Sequence, residues 1–176
     1  MMVVHPCPRL VHEAKHPTAH QDAFDAMNWV LETGKSLGGD LSKLVISGVS
    51  SGGNLAATVA QQLSTSGKCG DDVRLRGQVL LIPWLVQPSV FPNHLFADES
   101  KTSLIQCSKS LGLPTARLQW LSDNLEADDI SDGLINPALA EDKVLANLPK
   151  TAVIVAGGDS LRDDGLLYAT KLKEVG

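Results

Sequence analysis

The stretch Leu44-Val45-Ile46-Ser47-Gly48-Val49-Ser50-Ser51-Gly52-Gly53-Asn54-Leu55-Ala56-Ala57 decides the fold. It opens with a short β-branched apolar run, the mark of a strand buried in a parallel sheet. It then passes through G-x-S-x-G into Leu55, Val59 and Leu63, with Ala56 and Ala60, at helical spacing. Strand, tight turn and helix in that order form the setting of a nucleophile elbow, in which a serine sits on a strained bend with its hydroxyl exposed. The bend brings backbone segments so close that residues two before and two after the serine are expected to carry no Cβ. Gly48 and Gly52 occupy those places around Ser50. A phosphate-holding turn at a helix N-terminus is the competing reading, but G-x-S-x-G is not the dinucleotide spacing G-x-G-x-x-G. A P-loop is excluded: Gly34-Lys35-Ser36 has its last three letters, yet Trp29 stands where its first glycine belongs.

Outward from the elbow, strand-like and helix-like segments alternate, which predicts an α/β fold with a mostly parallel sheet flanked by helices. Residues 44–46, 79–82 and 151–156 are the expected inner strands, and residues 1–5 read as the tail of another. Asp22 is expected to cap a helix carrying Ala23, Ala26, Met27, Val30 and Leu31, with Gly34 as its stop. A further helix is expected near 114–124, and a final one, marked by Leu166, Ala169 and Leu172, after Asp164. Residues 84–150 are too long for a single crossover and contain Pro88, Pro92, Pro114 and Pro137. Asp163 and Asp164 read as charges that complement a helix dipole. His12, His16 and His20 would share one face of a helix, but Pro17 interrupts the run, so solvated histidines rather than a metal site are expected.

These residues carry a resemblance to the hormone-sensitive-lipase-like branch of the α/β-hydrolases, a family of serine carboxylesterases and lipases. Arg9-Leu10, Glu13, Pro17 and Asp22-Ala23 resemble the family's lead-in, with Pro8 where the family has Tyr and Ala14 where it has His. Trp29-Val30, Gly39-Asp40, the elbow, Ile82-Pro83-Trp84 and Asn136-Pro137-Ala138-Leu139 continue the likeness. Ala156-Gly157-Gly158-Asp159-Ser160-Leu161-Arg162-Asp163-Asp164-Gly165 resembles the segment bearing the family's catalytic acid. The resemblance implies that Ser50 is the nucleophile, Asp159 the acid that orients a histidine, and the Ser51 N–H one oxyanion donor. For Asp159 the plain alternative is a polar residue at a strand end or helix cap. The resemblance further implies that the three inner strands lie adjacent and parallel, in one incomplete hydrolase domain over 1–176, with a helical, cap-like insertion at about 84–150 over an acyl pocket.

The family's triad runs Ser, Asp, His in chain order, and its second oxyanion donor comes from an upstream His-Gly-Gly-Gly loop. All five histidines here, His5, His12, His16, His20 and His94, precede Asp159, and no Gly-Gly pair precedes Gly38. The chain therefore reads as the middle of a hydrolase, expected to be close to inactive on its own. A second class is a non-catalytic relative that holds a small ligand in the pocket, as the plant gibberellin receptors of this family do. A remnant with no stable function is the third.

Composition restricts partners. A net charge of −5 without Lys/Arg runs argues against nucleic acid or anionic membranes. No apolar run approaches the roughly 20 residues that span a bilayer, and no leader-like segment opens the chain, so a cytoplasmic protein is expected. Cys7, Cys69 and Cys107 are odd in number and far apart, which fits free thiols better than a disulfide framework. A small-molecule ester is the expected partner; no metal or other cofactor is expected, and oligomeric state is not legible.

Overall fold

A computed structural model describes residues 1–176. Three parallel strands form its sheet, in the order β1 (Leu44–Val49), β2 (Leu75–Leu81), β3 (Lys150–Ile154). Helix α2 (Ser51–Thr65) connects β1 to β2, and α6 (Arg162–Val175) follows β3. Helix α1 (Thr18–Thr33) packs on α2. Between β2 and β3 lie only short helices: α3 (Ser103–Gln106), α4 (Thr115–Asp123), α5 (Asp142–Leu145) and isolated 3-10 turns.

The strand pattern of the sequence explains which face of the sheet forms the core. Ile46 on β1, Leu80 on β2 and Val153 on β3 alternate onto the side where Ala56 and Ala57 of α2 and Tyr168 of α6 complete one apolar cluster. The small residues of α2 let its backbone approach the strands closely. Leu85, Val86, Phe91, Ala138 and Leu145 from the long β2–β3 segment enter the same cluster. A second, smaller cluster joins Trp84 and Leu161 to Leu118 of α4, with Leu104, Leu113 and Leu121 around it. The opposite side of the sheet is uncovered: Val45 and Val49 on β1 and Ile154 on β3 are each more than half exposed, at 59%, 54% and 52%. Val49, Leu81 and Ile154 are in register across the three strands, so they form one continuous apolar row. Parallel sheets normally bury both faces.

Four boundaries depart from expectation; one is β2, which begins at Leu75, four residues before the expected start at 79, and ends at Leu81, because Ile82 turns away at φ 38°. Residues 1–5 form no strand; they are exposed, and β1 has no paired neighbour on that side for them to extend. Helix α1 begins at Thr18, a turn before Asp22, whose carboxylate is engaged elsewhere: it accepts the Arg9 backbone N–H, Nε and Nη2 at 2.9, 3.0 and 2.6 Å. That pairing anchors the N-terminal segment to α1 and pulls the Asp22 carboxyl down to about 2. Strand β3 ends at Ile154, two residues earlier than the apolar run suggests, because residues 155–158 turn toward α6.

Candidate active site

Parallel strands place their C-terminal ends together, and Ser50 and Asp159 both follow such ends. They flank β2, so about two strand spacings, roughly 10 Å, separate their strand axes.

Ser50 adopts φ 54° and ψ −119°, a left-handed conformation that few non-glycine residues take. Such strain costs about 1–3 kcal/mol and persists only where neighbours enforce it. Here they are visible. The Ser50 N–H donates to the Leu81 carbonyl at 3.0 Å, and the Ser50 carbonyl accepts three N–H groups, from Gly53, Asn54 and Trp84, at 2.9, 3.2 and 3.1 Å. The Ser50 hydroxyl makes no hydrogen bond to the protein. The Ser51 N–H, at the first turn of α2, also has no protein acceptor, which leaves a donor beside the hydroxyl at the positive end of a helix.

The glycines divide differently from the sequence reading. A Cβ on Gly48 would lie 2.0 Å from the Gly52 carbonyl oxygen, so Gly48 is required by close approach. A Cβ on Gly52 would meet nothing within 4 Å, which corrects the expectation that its own side chain has no room. The second restricted position is Gly53, whose Cβ would lie 2.8 Å from Pro83 Cβ. Pro83 belongs to the turn after β2, where Ile82 has φ 38°, an outlier for a β-branched residue. Two strained residues thus sit side by side at the ends of neighbouring strands.

Asp159 is half-buried, and its Oδ1 accepts the Leu161 N–H at 3.0 Å, the turn-forming contact of the plain alternative reading. Its Oδ2 has no protein partner. No histidine bonds to Ser50 or Asp159. His5 is exposed, with Nδ1 3.9 Å from Cys7 Sγ, and His12 and His94 are exposed.

His16 and His20 are not solvated, contrary to expectation. His20 is 6% exposed on α1 and its Nε2 is 2.9 Å from Asn54 Oδ1, while its Nδ1 has no hydrogen-bond partner. Burial lowers the His20 pKa, and the neighbouring His16 ring, edge-on at 5.2 Å, adds to the effect against the Asn54 bond. His16 Nε2 is 2.7 Å from Asp132 Oδ2. Burial raises the Asp132 carboxyl, but the Leu134 N–H and His16 outweigh it and hold the group below its ordinary value. The His20 imidazole braces the helix behind the elbow through Asn54, which also donates from Nδ2 to the Trp84 and Ile135 carbonyls at 2.9 and 3.0 Å. The residues form no cluster with metal-ligand geometry.

Asp163 and Asp164 are likewise buried rather than displayed as dipole charges. Asp164 Oδ2 accepts the Leu85 and Val86 N–H groups at 2.9 and 3.0 Å, and burial pushes its carboxyl up to about 8. Nothing in the sequence distinguishes these two from surface acids except their place beside Gly165, which packs against Val155 and Val153. No helix of the structure is long and apolar enough to cross a membrane.

The alpha/beta hydrolase fold family matches residues 1–176. Esterase LipI of Mycobacterium tuberculosis is 31% identical over 172 residues, which cover 96% of this chain and 48% of that protein. The arylesterase of Saccharolobus solfataricus is 32% identical over 179 residues, 96% of this chain and 50% of its own length. Among solved structures, vibralactone cyclase superposes with a TM-score of 0.87 at 27% identity, over 97% of this chain and 48% of that one. The metagenomic carboxylesterase EstE1 gives 0.79 at 33% identity, over 96% and 53%. The chain spans about half the length of the relatives it matches.

Proposed function

Since the chain belongs to the alpha/beta hydrolase fold family and its relatives include esterases, we propose that it is the serine- and acid-bearing part of a carboxylesterase that acts through an acyl-serine. The observation that carries this reading is the Ser50 backbone: φ 54° inside G-x-S-x-G, beside the unengaged Ser51 N–H.

In this mechanism the Ser50 hydroxyl attacks the ester carbonyl carbon while an imidazole base takes its proton. The tetrahedral oxyanion forms next to the Ser51 N–H, whose strand-to-helix placement keeps it aimed before the charge develops. The imidazole then returns the proton to the departing alkoxide, and water attacks the acyl-Ser50 ester to release the acid. Asp159 holds the imidazole tautomer and stabilises its cationic form through Oδ2. The 176 residues supply neither that base nor the second oxyanion donor, so by themselves they are expected to be close to inactive as an esterase.

The test joins the chain to flanking sequence supplying an oxyanion loop and a His-Gly, and measures hydrolysis of short-chain aryl esters. Turnover is expected, abolished by Ser50→Ala and reduced by about 10³–10⁴-fold in Asp159→Asn. Turnover that survives Ser50→Ala overturns the assignment. A folded product that binds the ester without turning it over points to the ligand-holding class instead.

A further inference from the structure

Two adjacent buried acids open α6, and they serve different parts of the fold. Asp163 Oδ2 accepts the Ser103 N–H at 2.6 Å and its Oδ1 accepts Arg162 Nε at 2.8 Å, so it fastens α3 to α6. Asp164 makes no ion pair. Its Oδ2 takes two consecutive backbone N–H groups, those of Leu85 and Val86.

A carboxyl buried without a cation is a poor way to fill space, since an apolar side chain would pack α6 without desolvating a polar group. What the carboxyl does that an apolar group cannot is grip two neighbouring amides from outside their own segment. Those amides end the 82–86 turn. At its start, the Ile82 N–H donates to the Ile154 carbonyl at 2.6 Å. In its middle, Pro83 lies against Gly53, the Trp84 N–H donates to the Ser50 carbonyl, and the Trp84 carbonyl accepts Asn54 Nδ2. The turn is therefore a brace with the elbow on one side and Asp164 on the other.

We propose that Asp164 is a positioning residue for Ser50, acting through the 82–86 turn: its grip on Leu85 and Val86 keeps the Leu81 carbonyl and the Trp84 N–H where they bond the strained serine backbone. The proposal rests on Ser50 being the nucleophile, but its test reads the backbone and needs no turnover.

The experiment is residue-resolved amide hydrogen exchange on the 176-residue chain and its variants. In Asp164→Ala the Leu85 and Val86 amides lose their acceptor directly. The informative amides are those of Trp84 and Ser50, which Asp164 does not touch. They are expected to exchange at least about tenfold faster, while the interior of α2 and the Ser103 amide keep the rates of the parent chain. Asp164→Asn retains an acceptor oxygen and is expected to restore slow exchange at Trp84 and Ser50. Asp163→Ala should give the converse pattern, fast at Ser103 and unchanged at the elbow. Uniform acceleration across α2 and all strands in Asp164→Ala means that Asp164 supports the whole fold, and overturns the proposal. So does an unchanged rate at Trp84 and Ser50. Should Asp164→Ala not fold, Asp163→Ala still decides: elbow amides that speed up with Ser103 make the start of α6 one undivided brace, contrary to the proposal. If the exchange pattern appears but the extended chain has no serine-dependent turnover, the esterase reading fails and the brace stands.

Discussion

Adding one methyl group to each outer glycine of G-x-S-x-G should have opposite consequences at the two positions. In Gly48→Ala the new Cβ would sit 2.0 Å from the Gly52 oxygen, 2.3 Å from the Gly52 carbonyl carbon and 2.7 Å from the Gly53 nitrogen. All three are backbone atoms, so no side chain can rotate away; the start of α2 must retreat from β1 by more than about 1 Å to reach ordinary contact distance. That retreat pulls on the Gly53 and Asn54 N–H bonds to the Ser50 carbonyl. Two weakened backbone bonds at about 1 kcal/mol each, with an overpacking cost of about 1–3 kcal/mol, put the loss at roughly 3–5 kcal/mol. In Gly52→Ala the methyl enters open space, and the smaller freedom of the unfolded chain should stabilise by about 0.5 kcal/mol. Urea unfolding followed by far-ultraviolet circular dichroism measures both. Similar losses for the two variants, or a Gly48→Ala cost below about 1 kcal/mol, would refute the close-approach account of the bend.

Asp164 should make stability fall as pH rises. Its folded pKa of about 8 lies above the ordinary 3.8, so between those values the folded state keeps a proton that the unfolded state has released. The slope reaches about 1.4 kcal/mol per pH unit, and Asp164→Asn should remove that component. His20 works in the opposite sense, its lowered pKa favouring the fold as pH rises toward 6.5, but it is present in both proteins and cancels in the difference. Urea midpoints from pH 5 to 8 give the difference curve, and a flat one contradicts the assignment. Asn54→Ala should cost about 2–4 kcal/mol in the same measurement, because it strands the Trp84 and Ile135 carbonyls and the buried His20 ring; a cost near zero would show that the clamp is idle. The uncovered sheet face predicts poor solubility for the chain alone. Replacing Val45, Val49 and Ile154 together by Thr should raise soluble yield without lowering the urea midpoint, whereas a collapse of the fold would mean that this face is packed in solution.

The inner strands were legible because each is a short β-branched or leucine-rich run with a glycine or proline near its end, and the elbow because motif, strand and helix agree. The parallel order of β1, β2 and β3 followed from the resemblance. What sequence reasoning missed are polar residues turned inward. Gln78 on β2 is 1% exposed, its Nε2 donating to Thr151 Oγ1 at 2.9 Å, yet in sequence it follows Arg76-Gly77 and reads as a polar residue ahead of the apolar run 79–82. His20 looks like one member of a histidine-rich loop, and only the docking of α1 on α2 brings it to Asn54. Asp164 sits where helix-start acids are common, and its acceptor role depends on amides more than seventy residues away in the chain. Such groups are specified by tertiary neighbours, which periodicity does not record. Gly53 had a signal in the sequence, the glycine that follows Gly52: of that pair it is Gly53 whose Cβ would strike Pro83.

In the proposed function Ser50 is a nucleophile whose activation depends on groups outside these 176 residues. A fluorophosphonate probe tests it most directly, with the labelled peptide identified by mass spectrometry. In the chain extended by an oxyanion loop and a His-Gly, rapid, stoichiometric labelling is expected on Ser50, lost in Ser50→Ala and slowed in Asp159→Asn. In the 176-residue chain alone no labelling is expected beyond that of an ordinary hydroxyl. Label on a residue other than Ser50 in the extended chain, or fast labelling of Ser50 in the short one, would contradict this reading.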